Sequence, residues 1–276
     1  MPFSWADPSI SGWPLLLALA LIAWHHEAVR SVAPPIGRRE RWCFIVGALL
    51  LALSLSWPLA DLAQARSLTA TVLQRQVIIL GAAPLLLLGT PSEVVARLTR
   101  PRAIDWIAAR ASRPVIAIAA ATILLGVTML PFAISAASSS GLVRAAVLTL
   151  TIATGLVLWF PVIDRVPGVS HLTRTGKAVY LFAQSIAPTF LSFAWIFATH
   201  SIYSSLHEQH AAVGMSPLVD QQAAAYLSKL GTFGVLWTVA YVEFMRSGGE
   251  EEDEESPLHW ADVERELERA DRRNRR

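Results

Sequence analysis

The chain has 276 residues, 54% of them apolar and only 16% charged, with a net charge of +2. A water-soluble domain carries about a quarter charged residues, so the composition excludes an ordinary soluble protein and equally a disordered or fibrous one. The balance of 23 Lys and Arg against 21 Asp and Glu argues against nucleic acid as a partner, and the single Cys43 excludes an intramolecular disulfide and a Cys-rich metal cluster. What remains is an integral membrane protein whose first partner is the lipid bilayer.

In chain order, apolar stretches near the roughly 20 residues that cross the hydrocarbon core fall at 12–29, 42–59, 68–89, 114–132, 142–163, 178–199 and 221–244. Lipid offers backbone groups no partner, so all seven are expected to be helices. The fold class is all-α, a polytopic bundle over 1–246, with a charged tail over 247–276. The first stretch has no positive region before it and no small-residue cleavage site, so it reads as a span rather than a signal peptide.

Orientation follows from the Lys and Arg residues. Arg30, Arg38, Arg39 and Arg41 follow the first span, and Arg97, Arg100, Arg102, Arg110 and Arg113 follow the third. Arg165, Arg174 and Lys177 follow the fifth. The alternate connections hold little beyond Arg66 and Arg144. The N-terminus is therefore expected outside and the C-terminus in the cytoplasm; in bacteria the membrane is the inner one. In the tail, Gly248 and Gly249 read as a hinge before the acidic run 250–255, and a short amphipathic helix is expected from Ser256.

Polar residues inside spans are costly and therefore informative. Arg75 lies seven residues into the third span, roughly 10 Å below its outer end at about 1.5 Å per residue. Lys229 lies at a similar depth in the last span, and Asp220 stands at that span's outer end. Two readings stay open: both cations snorkel to the outer interface, or both face the interior and meet a carboxylate such as Asp61 or Asp220, or an anionic partner. Met129, His200, His207 and His210 gather toward the same side, and thioether and imidazole suit copper. They are candidate copper ligands, or else ordinary loop and core residues. His25 and His26 read as interfacial. No phosphate loop, HExxH, CxxC or catalytic triad is present, so no enzyme is expected.

Four stretches carry a resemblance: 72–98 (VLQRQVIILGAAPLLLLGTPSEVVARL), 156–164 (LVLWFPVID), 180–197 with Pro188, and 215–222 (MSPLVDQQ). With seven spans and an external N-terminus, they resemble the CtaG family of cytochrome c oxidase assembly factors. The resemblance implies a non-enzymatic role in building the copper centres of haem-copper oxidases on the outer side, with oxidase subunits as partners and copper as the metal concerned. The chain also departs from the pattern. Where the family's third span reads H-x-x-Q-H, this chain has Thr71 and Arg75, with Gln74 kept. Where the fourth reads H-L-P, it has Met129, Leu130 and Pro131. A guanidinium only donates, so Arg75 cannot replace a metal-binding imidazole. Copper is then held by a rearranged set using Met129 and His200, or not at all. A metal-free accessory or scaffold subunit of a respiratory oxidase, and a metal or anion transporter using Arg75 and Lys229, are the alternatives.

Overall fold

A computed structural model describes residues 12–32, 36–64, 67–165, 172–203 and 215–254, with the side chains of the last helix followed to Gly248. Among these residues the regular structure is all helical. The helices are α1 (Trp13–Arg30), α2 (Arg38–Ser54), α3 (Leu59–Gln64), α4 (Leu68–Gly89), α5 (Ser92–Leu98), α6 (Arg102–Ala111), α7 (Pro114–Met129), α8 (Pro131–Ser139), α9 (Gly141–Trp159), α10 (Arg174–Ile196) and α11 (Pro217–Glu254). Each of the predicted apolar stretches falls largely on a helix. Among the described residues three helices, α4, α9 and α10, are long and apolar enough to cross a membrane. The pair α6 and α7, bent by 99° at its short break, makes a fourth if counted as one span. Leu142, Val115, Phe190, Phe197 and Leu230 all point outward. An apolar exterior on that scale is what lipid, not water, tolerates.

α4 runs through the middle of the bundle, and glycines let its neighbours approach. A Cβ on Gly89 would stand 2.5 Å from the backbone nitrogen of Phe44 on α2, and one on Gly155 of α9 would stand 2.6 Å from Ala83 Cβ. Midway, residues Val77–Ala82 form a π-helical segment. Its cause is visible in the chain: Ala83 N–H bonds the Ile78 carbonyl, and Pro84 has no N–H to offer the next one. The Ile79 carbonyl is instead taken by the indole N–H of Trp159 at 2.9 Å. Around this point Ala83, Leu87, Ala117, Leu158, Leu181 and Leu236 build the main core.

At the end of the bundle where α4 finishes, His25 donates to the Gly89 carbonyl at 2.8 Å and stacks on Phe44 with ring centroids 3.9 Å apart. His25 is therefore buried and ties α1 to the last turn of α4, where an interfacial position is expected from its neighbours in the chain. His26 is exposed. Ion pairs Arg165–Glu40 and Arg174–Glu243 join elements at the same end.

α11 is the longest element, 38 residues, or about 57 Å at 1.5 Å per residue. It runs on through Gly248 and Gly249 into the acidic run, so the expected hinge is helix. Each glycine costs a helix only about 1 kcal/mol relative to alanine, and the glutamates that follow are good helix formers. The amphipathic helix expected from Ser256 lies outside the described residues.

Candidate functional site

The site begins with how α4 starts. Ser67 caps it, its hydroxyl accepting from Ala70 N–H at 3.2 Å. Asp220, from the first turn of α11, supplies a second cap: its carboxylate accepts from Leu68 N–H at 2.7 Å, Thr69 N–H at 3.1 Å and the Ser67 hydroxyl at 3.3 Å. A carboxylate at a helix N-terminus meets unpaired N–H groups and the positive end of the helix dipole. Asp220 can therefore sit only 2% exposed. The next two residues clamp other segments. Gln221 accepts from Ile202 N–H at 2.8 Å, and Gln222 donates to the Ile196 carbonyl at 3.1 Å. The DQQ triplet thus fixes the start of α4 and the end of α10 to the start of α11.

Further along α4, Arg75 is only 5% exposed. Its guanidinium grips the end of α7, donating to the Thr128 hydroxyl and to the Thr128 carbonyl, both at 2.7 Å. That carbonyl belongs to the last turn of α7, where helices leave acceptors unpaired and carry partial negative charge. The helix end, not a carboxylate, is what receives this cation among the described residues.

Thr71, Gln74 and Arg75 share one face of α4, as i, i+3 and i+4 spacing requires. They line a cavity of about 350 Å³ at the end of the bundle where α1 begins. α3, α8 and the first half of α9 complete its wall, contributing Asp61, Gln64, Ser138 and Arg144, with Leu55, Ile134, Val147 and Leu148 as apolar surface. Arg144 donates to the Ala137 carbonyl at 3.2 Å and to the Gln64 side-chain oxygen. Gln74 donates to the Ser54 carbonyl at 2.7 Å. On its other side Arg75 borders a second space of about 50 Å³, with Met129, Gln76, Gln184 and Pro188 in its wall. The side-chain oxygens of Gln76 and Gln184 are buried there without a hydrogen-bond partner.

The residues singled out from the sequence are only partly brought together. Met129 is 6% exposed, packed against Leu68, Val72, Trp195 and Tyr203, and its carbonyl accepts the Tyr203 hydroxyl at 2.6 Å. His200 is exposed, its Nδ1 beside the Thr199 hydroxyl at 3.2 Å. His207 and His210 lie outside the described residues. Lys229 lines neither cavity. It donates to the Thr189 hydroxyl at 2.7 Å and stands 5.5 Å from the ring centres of Phe193 and Phe233, on the seam of α10 and α11. Arg144 and Thr128 were not singled out. Rating every polar residue near the outer end of a span would have found Arg144. Thr128 shows itself only through a contact 53 residues away in the chain.

The copper implied by the resemblance can be tried against these groups. The cavity wall presents hydroxyls, amides, a carboxylate and two guanidiniums, where copper(I) prefers thiolate, thioether and imidazole. A guanidinium offers no lone pair and repels a cation. Met129 packs in an apolar cluster and borders the smaller cavity, whose described wall adds amides, hydroxyls and the Arg75 guanidinium but no imidazole, thiolate or second thioether. The described cavity residues do not fit a copper ion.

An all-helical membrane protein, with a polar cavity under one end and helix termini held by buried charges, is the class defined by this fold and site. Residues 15–247 match the model of the cytochrome c oxidase caa3 assembly factor family, Caa3_CtaG, and the chain belongs to that family. No curated protein and no solved structure matches it.

Proposed function

We propose that this protein is a non-enzymatic factor that assists assembly of cytochrome c oxidase from the outer side of a bacterial inner membrane, at the stage when the copper centres are completed. Membership of the assembly-factor family carries this reading. In it, α1, α2, α7 and α11 cross the membrane beside α4, α9 and α10, making seven spans, and α6 lies in the arginine-rich connection before α7. The arginine-rich connections then lie in the cytoplasm, and the 350 Å³ cavity lies at the outer end. The partners are oxidase subunits, and copper is their cargo. The chain contributes a shaped outer surface to that step, not a ligand set within the cavity.

The test is the amount of assembled oxidase in membranes of cells lacking this chain. The expected result is a reduced haem–copper oxidase spectrum that recovers when the chain is supplied again; an undiminished spectrum would remove the proposal. A second reading, a metal-free accessory or scaffold subunit, is favoured by the Arg75 guanidinium standing in the cavity wall. Recovery in one-to-one ratio with mature oxidase would support that reading, whereas a transient factor is recovered with immature subunits only. The transport reading needs Arg75 and Lys229 to act as a pair, and they belong to separate surroundings.

A further inference from the structure

We propose that the larger cavity is a binding site for an anionic oxygen group, a phosphate or carboxylate, carried by an amphiphile. Arg75 and Arg144 would grip the anion, and Leu55, Ile134, Val147 and Leu148 would receive the apolar part. Such a site depends on the cavity alone and stands apart from the assembly role.

The first observation is electrostatic. A guanidinium taken out of water must be compensated, because an isolated buried charge is among the costliest groups in a protein. Arg75 is 5% exposed, and its hydrogen bonds go to one residue, Thr128. A helix C-terminus supplies the equivalent of roughly half a negative charge, which leaves the cation undercompensated. Of the five N–H donors of a guanidinium, Thr128 occupies two, so donors remain for a ligand.

The second observation is the wall. Arg144 brings a second guanidinium to the same cavity, and Asp61 is the carboxylate among the described lining residues. The charged lining is therefore positive on balance. Both arginines are held in place by helix-end carbonyls, at Thr128 and Ala137. They are pre-positioned and need no reordering when an anion arrives. Arginine is also the side chain whose flat fork matches carboxylate and phosphate oxygens.

The third observation is size and polarity. A space of about 350 Å³ falls at the lower end of the range typical of small-molecule sites, about 300–1,000 Å³. Its wall mixes polar groups on α3, α4, α8 and α9 with apolar groups at the end of α2, on α8 and on the first half of α9, beside α1. An ion such as chloride would leave most of that space unfilled. A lipid headgroup with the start of its chains, or a free organic anion, would meet both kinds of group. The smaller cavity, with its two unpaired amide oxygens, would repel an anion and has no such role.

The experiment uses the full chain, purified in neutral detergent, with binding read by native mass spectrometry and by the shift in melting temperature. The probes are phosphatidylglycerol, phosphatidylcholine and inorganic phosphate. Phosphatidylglycerol is expected to bind and to raise the melting temperature with concentration, beyond what phosphatidylcholine does. Arg75→Gln is expected to weaken that binding about tenfold or more, from loss of a charge-assisted hydrogen bond. Because Arg75 also holds α7, Arg144→Gln and the cavity-filling Thr71→Leu test the site without removing that contact, and both are expected to weaken binding. A shift reproduced by inorganic phosphate alone would assign the site to a free anion, and a shift from the lipid only would assign it to a headgroup. Equal effects of phosphatidylglycerol and phosphatidylcholine together with no effect of phosphate would overturn the proposal. So would anion binding that survives unchanged in both Arg144→Gln and Thr71→Leu.

Discussion

Asp220 and Arg75 are both buried charges met by helix ends, and they differ in what removing them does. Asp220→Asn keeps the shape but loses the charge that faces the α4 N-terminus. It is expected to lower stability by about 1–2 kcal/mol, read as a lower melting temperature in detergent; an unchanged value would mean that Ser67 caps α4 alone. Met129 calls for the opposite expectation. Its thioether lies in an apolar cluster, so Met129→Leu should cost less than about 1.5 kcal/mol and leave oxidase copper content unchanged. Loss of oxidase copper in that variant would restore Met129 as a ligand. Which charged residues lie within the spans was legible, because any Arg, Lys or Asp there stands out, but whether Arg75 and Lys229 snorkel or face the interior was left open. Their partners were not legible. Asp220 meets residues 67–69 and Arg75 meets Thr128 through contacts 53 or more positions apart, and no spacing rule reaches that far. Asp220 and Lys229, singled out together with Arg75, are spent on holding α4 and α10.

Among the elements, α4 decides the packing, and its glycine contacts give a graded test. Gly155→Ala would press a methyl into Ala83 and Ile79 at 2.6–3.1 Å, and overpacking of this kind costs about 1–3 kcal/mol. Gly126, inside α7, has open space around it: a methyl added there would meet nothing within 4 Å. Gly126→Ala should therefore stabilise by about 0.5–1 kcal/mol through helix propensity alone. Melting temperatures moving in opposite directions would bear this out; equal losses would contradict the close α4–α9 approach. Trp159→Phe is expected to cost about 1–3 kcal/mol by stranding the Ile79 carbonyl in the core. The limits of α4, 68–89, were readable as those of one apolar stretch of membrane-crossing length. The π segment was not. It needs Pro84 and a tryptophan on another helix to take the released carbonyl. The reading of Gly248–Gly249 as a hinge failed because two glycines are too small a penalty to stop a helix flanked by helix-forming residues.

For the molecule as a whole, the apolar exterior marks a membrane protein, and family membership ties it to cytochrome c oxidase assembly. The proposed topology has its own check. Single cysteines at Ser138 and Arg100, in a chain whose Cys43 is replaced, should differ in reaction with an impermeant thiol reagent added to intact cells. Ser138 should label and Arg100 should not; the reverse would place the cavity on the cytoplasmic side. Composition and the alternation of basic connections made the topology legible as an expectation, because both act over whole segments. The chemistry of the cavity was less legible, since it depends on α3 and α8, short helices between spans that carry no strong periodic signal. The most direct measurement is the copper-to-haem ratio of oxidase isolated from cells lacking this chain. The account predicts a ratio below that of the parent strain, restored by the chain carrying Met129→Leu as well as by the unaltered one. An unchanged ratio in intact oxidase would contradict a role in completing the copper centres.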